Sequence, residues 1–115
     1  MSVLPFHFGA PPARPDAVRV EIAAHARPEA VYDAYRQALR LPDWFGANLD
    51  ALFDVLCDQP HPVLVVHGGL PEADGDWLAR YLGTLADAVE QVDEDDLEIS
   101  FPDATRAAVR AALRG

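Results

Sequence analysis

The chain reads as one α/β domain, a small three-stranded parallel sheet flanked by helices with an extra helix at the C-terminal end. Three observations predict this. The 115 residues are 50% apolar, which supplies one domain with a genuine core. Strand-like and helix-like apolar periods alternate along the chain, in the order strand, helix, helix, strand, helix, strand, helix. Strands joined by helical crossovers pair in parallel. The single cysteine, Cys57, leaves no intramolecular disulfide and no multi-cysteine metal site to organise a different kind of fold.

Each element has its own signal. Residues 1–16 hold Pro5, Pro11, Pro12 and Pro15 and no sustained period, which reads as an extended arm with Phe6 and Phe8 as candidates to dock on the domain. Over residues 18–24, Val18, Val20, Ile22 and Ala24 alternate with Arg19, Glu21 and Ala23, the period of a strand with one wetter face. Pro28 suits a first helical position, and Val31, Tyr35, Ala38 and Leu39 recur at helical spacing until Leu41-Pro42 stops the run, a helix of about 13 residues. Asn48 caps a shorter helix that runs to Cys57, before Pro60 and Pro62.

Residues 63–67, Val-Leu-Val-Val-His, form a continuous apolar run of strand length that reads as buried on both faces. Gly68, Gly69, Pro71 and Gly75 make a loop. Leu78, Leu82, Leu85, Val89 and Val92 then form a helical stripe over residues 76–92, with Trp77 and Tyr81 beside it. After the acidic turn of residues 93–96, Leu97, Ile99 and Phe101 alternate as a third strand, and Asp103 caps an alanine-rich helix to Leu113. The expected division is a proline-rich arm (1–16), a domain (17–102) and a helical extension (103–115).

Charge is unevenly distributed. The net charge is −10, from 19 acidic and 9 basic residues. Residues 1–40 carry five arginines and four acids, and residues 41–105 carry fifteen acids against Arg80 alone. Such a middle section repels nucleic acid and anionic membranes and attracts a basic partner, or it serves solubility alone. No apolar run approaches the roughly 18 residues of a membrane span, and the first residues lack a basic signal-peptide region, so a cytoplasmic protein is expected.

The densest pattern lies in residues 49–58. Leu49, Leu52, Phe53 and Leu56 fall on one helical arc, and Asp50, Asp54 and Asp58 fall beside it at i, i+4 and i+8. Like charges at that spacing cost a helix about 0.2–0.5 kcal/mol per pair, which leaves two readings: a solvated face, or a surface that recognises cations. Asp50 has an ordinary reason to be there, since an acid near a helix N-terminus is stabilised by the macrodipole. Ahead of the ladder, Trp44 and Phe45 sit in a loop that ends in Gly46. Trp44 is either a cap over the core or, next to acidic side chains, part of a protein-binding hot spot.

Catalytic and cofactor readings find little support. His7, His25, His61 and His67 have no metal-ligand spacing, and HExxH, GxxxxGK[ST] and GxGxxG do not occur. Cys57 has no positive neighbour in sequence and reads as an inert thiol. Residues 93–96 lack the spaced ligands of a calcium loop. A metal-dependent hydrolase built on Asp50, Asp54 and Asp58 would have three exposed acids on one helix, a poor cage. No enzyme, cofactor or metal is expected.

Residues 41–56, LPDWFGANLDALFDVL, closely resemble the signature segment of the barstar family, intracellular inhibitors of barnase-type ribonucleases. Residues 18–101 follow that family's course in order and pattern. The resemblance implies a three-stranded parallel sheet flanked by helices, and a mechanism in which the aromatic loop and the following helix plug a nuclease active site with carboxylates in the places of substrate phosphates. On that basis Asp54 is the central phosphate mimic, Asp50 meets a second basic group, and Trp44 packs on the nuclease's catalytic side chains. Gly46, Asn48 and Leu49 shape the contacting loop, Phe53 and Cys57 lie on the rim, and Asp87 is an acid contributed by the next helix.

The sequence departs from the family pattern where Trp44 and Phe45 replace the commoner tyrosine pair and Phe53 replaces a tryptophan. Arg106, Arg110 and Arg114 add a basic stripe, either solvated or folded over the acidic helix. The resemblance implies a 1:1 complex with a small basic ribonuclease of extracellular type, or a ribonuclease toxin. An interaction module for a basic protein that is not a nuclease is the alternative, because a fold does not fix its partner.

Overall fold

The computed structural model describes residues 4–43, 45, 46, 48–93 and 95–114. Trp44 and Glu94, both singled out in the sequence, lie outside the described residues. The alternating and apolar runs become strands β1 (His7–Phe8), β2 (Val18–Ile22), β3 (Val63–His67) and β4 (Leu97–Phe101). The helical stripes become α1 (Pro28–Ala38), α2 (Leu49–Cys57), α3 (Gly75–Gln91) and α4 (Arg106–Arg114). The sheet is parallel throughout, in the order β1-β4-β3-β2.

The three expected strands are present, and the N-terminal segment adds a fourth. Two residues are too few to show a period, which is why β1 was not visible in the sequence. Its anchors were visible: Phe6 is buried, and Phe8 stacks on Phe101 with ring centroids 6.1 Å apart.

Connection handedness explains how both sheet faces are covered. The steps from β2 to β3, through α1 and α2, and from β3 to β4, through α3, run the same way across the sheet, so right-handed crossovers place these helices on one face. The step from β1 to β2 runs the opposite way, and the same hand sends residues 9–17 across the other face. Arg14 in this return segment pairs with the Glu98 carboxylate and donates to the Asp95 carbonyl at 2.7 Å. Glu98 alternates with Leu97 and Ile99, so it belongs to that second face. Leu64 and Ser100, which share it, are accordingly buried.

On the helical face, register aligns Val20, Val65 and Ile99 in one row. The helices close over it with Val31, Tyr35, Leu52, Leu56, Tyr81, Leu82, Leu85 and Val109. Ordering by such apolar burial, worth about 1.5–3 kcal/mol for each large aliphatic or aromatic side chain, is what holds α2 and α3 side by side.

A chain of polar groups runs through this core. His67 Nδ1 lies 3.0 Å from the Ser100 carbonyl, and its Nε2 lies 2.8 Å from the Tyr81 hydroxyl, which is 2.8 Å from that of Tyr35. A carbonyl only accepts, so Nδ1 carries the proton, Nε2 accepts from Tyr81, and Tyr81 accepts from Tyr35. Burial pushes the imidazole down to about 4, so His67 is neutral at physiological pH. Its ring also stacks on Phe101 at 4.0 Å.

The C-terminal helix differs from expectation at its start. Asp103 does not cap α4; it opens a single 3-10 turn (Asp103–Thr105), and its carboxylate accepts from Arg106 at 2.9 Å. The position ahead of the turn belongs to Pro102, whose carbonyl accepts from Thr105 N–H at 3.0 Å, so Asp103 lies inside the turn rather than before it. The α4 helix packs against α3 through buried Val109 and leaves Arg106, Arg110 and Arg114 exposed. The Arg106 guanidinium lies over the Phe8 ring at 5.0 Å, toward β1.

Candidate functional site

The loop between α1 and α2 is fixed at both ends by backbone geometry. At the exit of α1, Arg40 takes the left-handed conformation, φ 55°, and Leu41 N–H reaches back to the Arg36 carbonyl at 2.9 Å. This is a Schellman closure, with arginine where glycine usually stands. It ends the helix before Pro42, so proline is not the terminator that the sequence suggested. Phe45 N–H then donates to the Pro42 carbonyl at 2.9 Å and Asn48 N–H to the Gly46 carbonyl at 2.7 Å. Phe45 is half-buried against the core. A Cβ at Gly46 would stand 3.0 Å from Asn48 Nδ2, so the loop is tight there.

Asn48 starts α2 as expected, its Oδ1 accepting from Ala51 N–H at 2.8 Å. Leu49, Leu52 and Leu56 are buried, Phe53 is half-buried, and Asp50 and Asp54 stand in solvent. Asp58 is exposed too, but it sits beyond the helix end with φ −128° and ψ 40°. The ladder is therefore two helical rungs with a third carboxylate off the helix line, because α2 stops at Cys57.

The packing of α3 against α2 adds the third acid of the site. Leu49, Asp50, Phe53, Asp54, Thr84 and Asp87 line one surface concavity of about 350 Å³. Carboxylates from two helices thus converge over an apolar floor. Thr84, one turn before Asp87, was not singled out from sequence; its hydroxyl donates to the Arg80 carbonyl at 2.8 Å, and only its i−3 spacing from Asp87 would have pointed to it.

The other predicted residues take different places. Gly46 and Asn48 are exposed and precede Leu49 in the chain, but they do not line the concavity. Cys57, at the far end of α2, does not line it. Burial first, and then the Asp54 carboxylate, raise the Cys57 thiol, so it stays protonated and unsuited to nucleophilic attack. Trp44, the remaining predicted contact, lies outside the described residues.

The charge balance around the concavity is one-sided. Arg80 pairs with Asp76 at 4.0 Å, and Arg36 pairs with Asp33 at 2.6 Å and with Asp43 at 3.5 Å. Among the described residues, no ion pair engages Asp50, Asp54 or Asp87. No group of three or more His, Cys, Asp and Glu side chains there is gathered as a metal-ligand set. An open dent with carboxylates at its edge suits one or two cationic groups arriving on another molecule, guanidinium above all, whose fork matches a carboxylate.

No described helix is long and apolar enough to cross a membrane. Neither a curated protein nor a solved structure gives a match to the chain. A family model does: Barstar (barnase inhibitor) matches residues 16–102, a span that covers β2 to β4 and leaves β1 and α4 outside. The chain belongs to the barstar family, whose members are inhibitor proteins and not enzymes.

Proposed function

We propose that this protein is a stoichiometric, 1:1 inhibitor of a small basic ribonuclease of the barnase type, acting in the cytoplasm and without a cofactor. The carrying observation is the convergence of Asp50, Asp54 and Asp87 on one concavity. A ribonuclease that binds RNA must present cationic side chains where phosphates lie. A carboxylate set held on two packed helices satisfies those cations without offering a bond to cleave.

In this reading Asp54 takes the place of a substrate phosphate, and Asp50 and Asp87 engage the flanking cations. Gly46, Asn48 and Leu49 form the contacting turn, Trp44 packs on the nuclease's catalytic side chains, and Phe53 and Cys57 lie at the rim. The binding unit is residues 17–102, with the arm and the C-terminal helix as additions. The net charge of −10 steers a basic partner toward this face, so association slows as salt rises.

The direct experiment is titration of a barnase-type ribonuclease with this protein. RNA cleavage should fall linearly to an end point at one equivalent. Undiminished cleavage at large excess would remove this target. Retention of a basic protein other than a nuclease from the source cell would then favour an interaction module on the same surface.

A further inference from the structure

The residues so far assigned to binding would touch the partner, yet the loop that carries several of them must first be held. We propose that Arg36, on α1, is a positioning residue for partner binding: it fixes Asp43 and with it the start of the connection that leads from α1 to α2. The inference rests on the inhibitor reading above.

Arg36 serves two elements at once. Its Nη2 donates to the Asp33 carboxylate at 2.6 Å, and its Nη1 lies 3.5 Å from the Asp43 carboxylate, so one planar fork ties α1 to the loop. Asp33 is itself held, because its second oxygen accepts from Gln37 Nε2 at 2.6 Å. The backbone of the same residue takes part, since the Arg36 carbonyl closes the Schellman turn with Leu41 N–H. Tyr32, Arg36, Asp43 and Phe45 line a second concavity of about 350 Å³ on the α1 side of the loop. Asp43, fully exposed as a side chain, has Arg36 as its ion-pair partner among the described residues.

The sign of the effect separates positioning from plain charge. Arg36 is a cation on a protein that meets a basic partner. Removing it makes the chain more acidic, and on charge alone it should quicken association and tighten the complex. If Arg36 acts by holding the loop, its loss instead adds the ordering of that loop to the cost of binding, and the complex weakens.

The experiment uses the full chain, titrated against a barnase-type ribonuclease with affinity and rates measured at fixed salt. Arg36→Gln should weaken the complex roughly threefold to tenfold, Asp43→Asn should do likewise, and the double variant should be no weaker than either single one. Arg36→Lys, a cation without the fork, should recover part of the loss. Urea unfolding should show the variants folded, so weaker binding is not a loss of native protein. Unchanged or tighter binding by Arg36→Gln, or losses that simply multiply in the double variant, would overturn the proposal. Failure of the wild type to inhibit would instead overturn the inhibitor reading, so the two failures are separable.

Discussion

The α2 surface and the polar chain in the core treat polar groups in opposite ways. On the surface, Asp50, Asp54 and Asp87 stand exposed, with no ion pair among the described residues. In the core, His67, Tyr81 and Tyr35 pass hydrogen bonds hand to hand, and no buried side-chain polar atom among the described residues lacks a partner. The difference separates two uses of polarity. Buried groups must be satisfied internally, since an unmade hydrogen bond there costs about 1–3 kcal/mol, and they define one packing of α1, α3, β3 and β4. Exposed carboxylates cost little to leave unpaired in water, and their partners can come from another molecule. Substitution on the surface should therefore change binding and spare stability, while substitution in the chain should do the reverse.

The largest expected effect breaks the surface side. Asp54→Ala should weaken the nuclease complex by about 2–5 kcal/mol, the range for truncating one member of a buried, hydrogen-bonded interfacial charge pair. Its urea midpoint should move little, within about 0.5 kcal/mol, as expected for an exposed site without intramolecular partners. Isothermal titration against the nuclease, beside urea unfolding of the free protein, measures both. A large loss of stability with unchanged affinity would erase the contrast.

The core side breaks with acid. His67 is held down to about 4, against about 6.5 for an ordinary histidine in the unfolded chain. The native state thus binds fewer protons than the unfolded state between these values. Its stability is complete above roughly pH 6.5 and falls as pH drops toward 4, by on the order of 3 kcal/mol from this one group. Protonated Nε2 would also confront the Tyr81 hydroxyl, which then has to turn its hydrogen toward Tyr35. Comparing urea stability at several pH values between wild type and His67→Gln isolates this contribution from that of the many carboxylates. Parallel curves for the two proteins would show that His67 does not titrate as the geometry requires.

A smaller effect sharpens the comparison at the boundary of the two regions. Arg40 holds φ 55° at the exit of α1, a conformation glycine adopts without a Cβ penalty. Arg40→Gly should stabilise the fold by up to about 1 kcal/mol, offset in part by the greater freedom of glycine in the unfolded chain. Thermal unfolding at constant pH checks it, and a clear destabilisation would mean that the arginine side chain contributes more than its backbone costs.

These contrasts also show what a sequence can carry. The core face of α2 was legible because Leu49, Leu52 and Leu56 repeat at helical spacing, and β3 because an apolar run framed by prolines has few alternatives. The strand at His7–Phe8 was not, since two residues have no period and its pairing with β4 depends on a partner about ninety residues away. Asp87 came into view through the family resemblance, and Thr84 not at all, because packing of α3 on α2 brings them to the site and neither helix encodes the other's position. The turn at Arg40 was hidden for a different reason: the glycine that would mark it is absent. His67 closes the apolar run of residues 63–67, and only the Ser100 carbonyl and Tyr81 hydroxyl around it reveal that its tautomer is dictated.

The smallest expected effect tests where the surface ends. The i, i+4, i+8 spacing made Asp58 the equal of Asp50 and Asp54, but α2 stops one residue earlier and Asp58 lies outside the concavity they share with Asp87. A carboxylate off the contact area acts on a basic partner only through water and salt, where exposed charges are worth about 0–1 kcal/mol. Asp58→Asn should therefore slow association slightly at low ionic strength, leave dissociation unchanged, and lose even that effect as added salt shortens the screening length. Stopped-flow association and dissociation rates across a salt series measure this directly. A faster dissociation rate in this variant would place Asp58 in contact with the partner and extend the binding surface past the end of the helix.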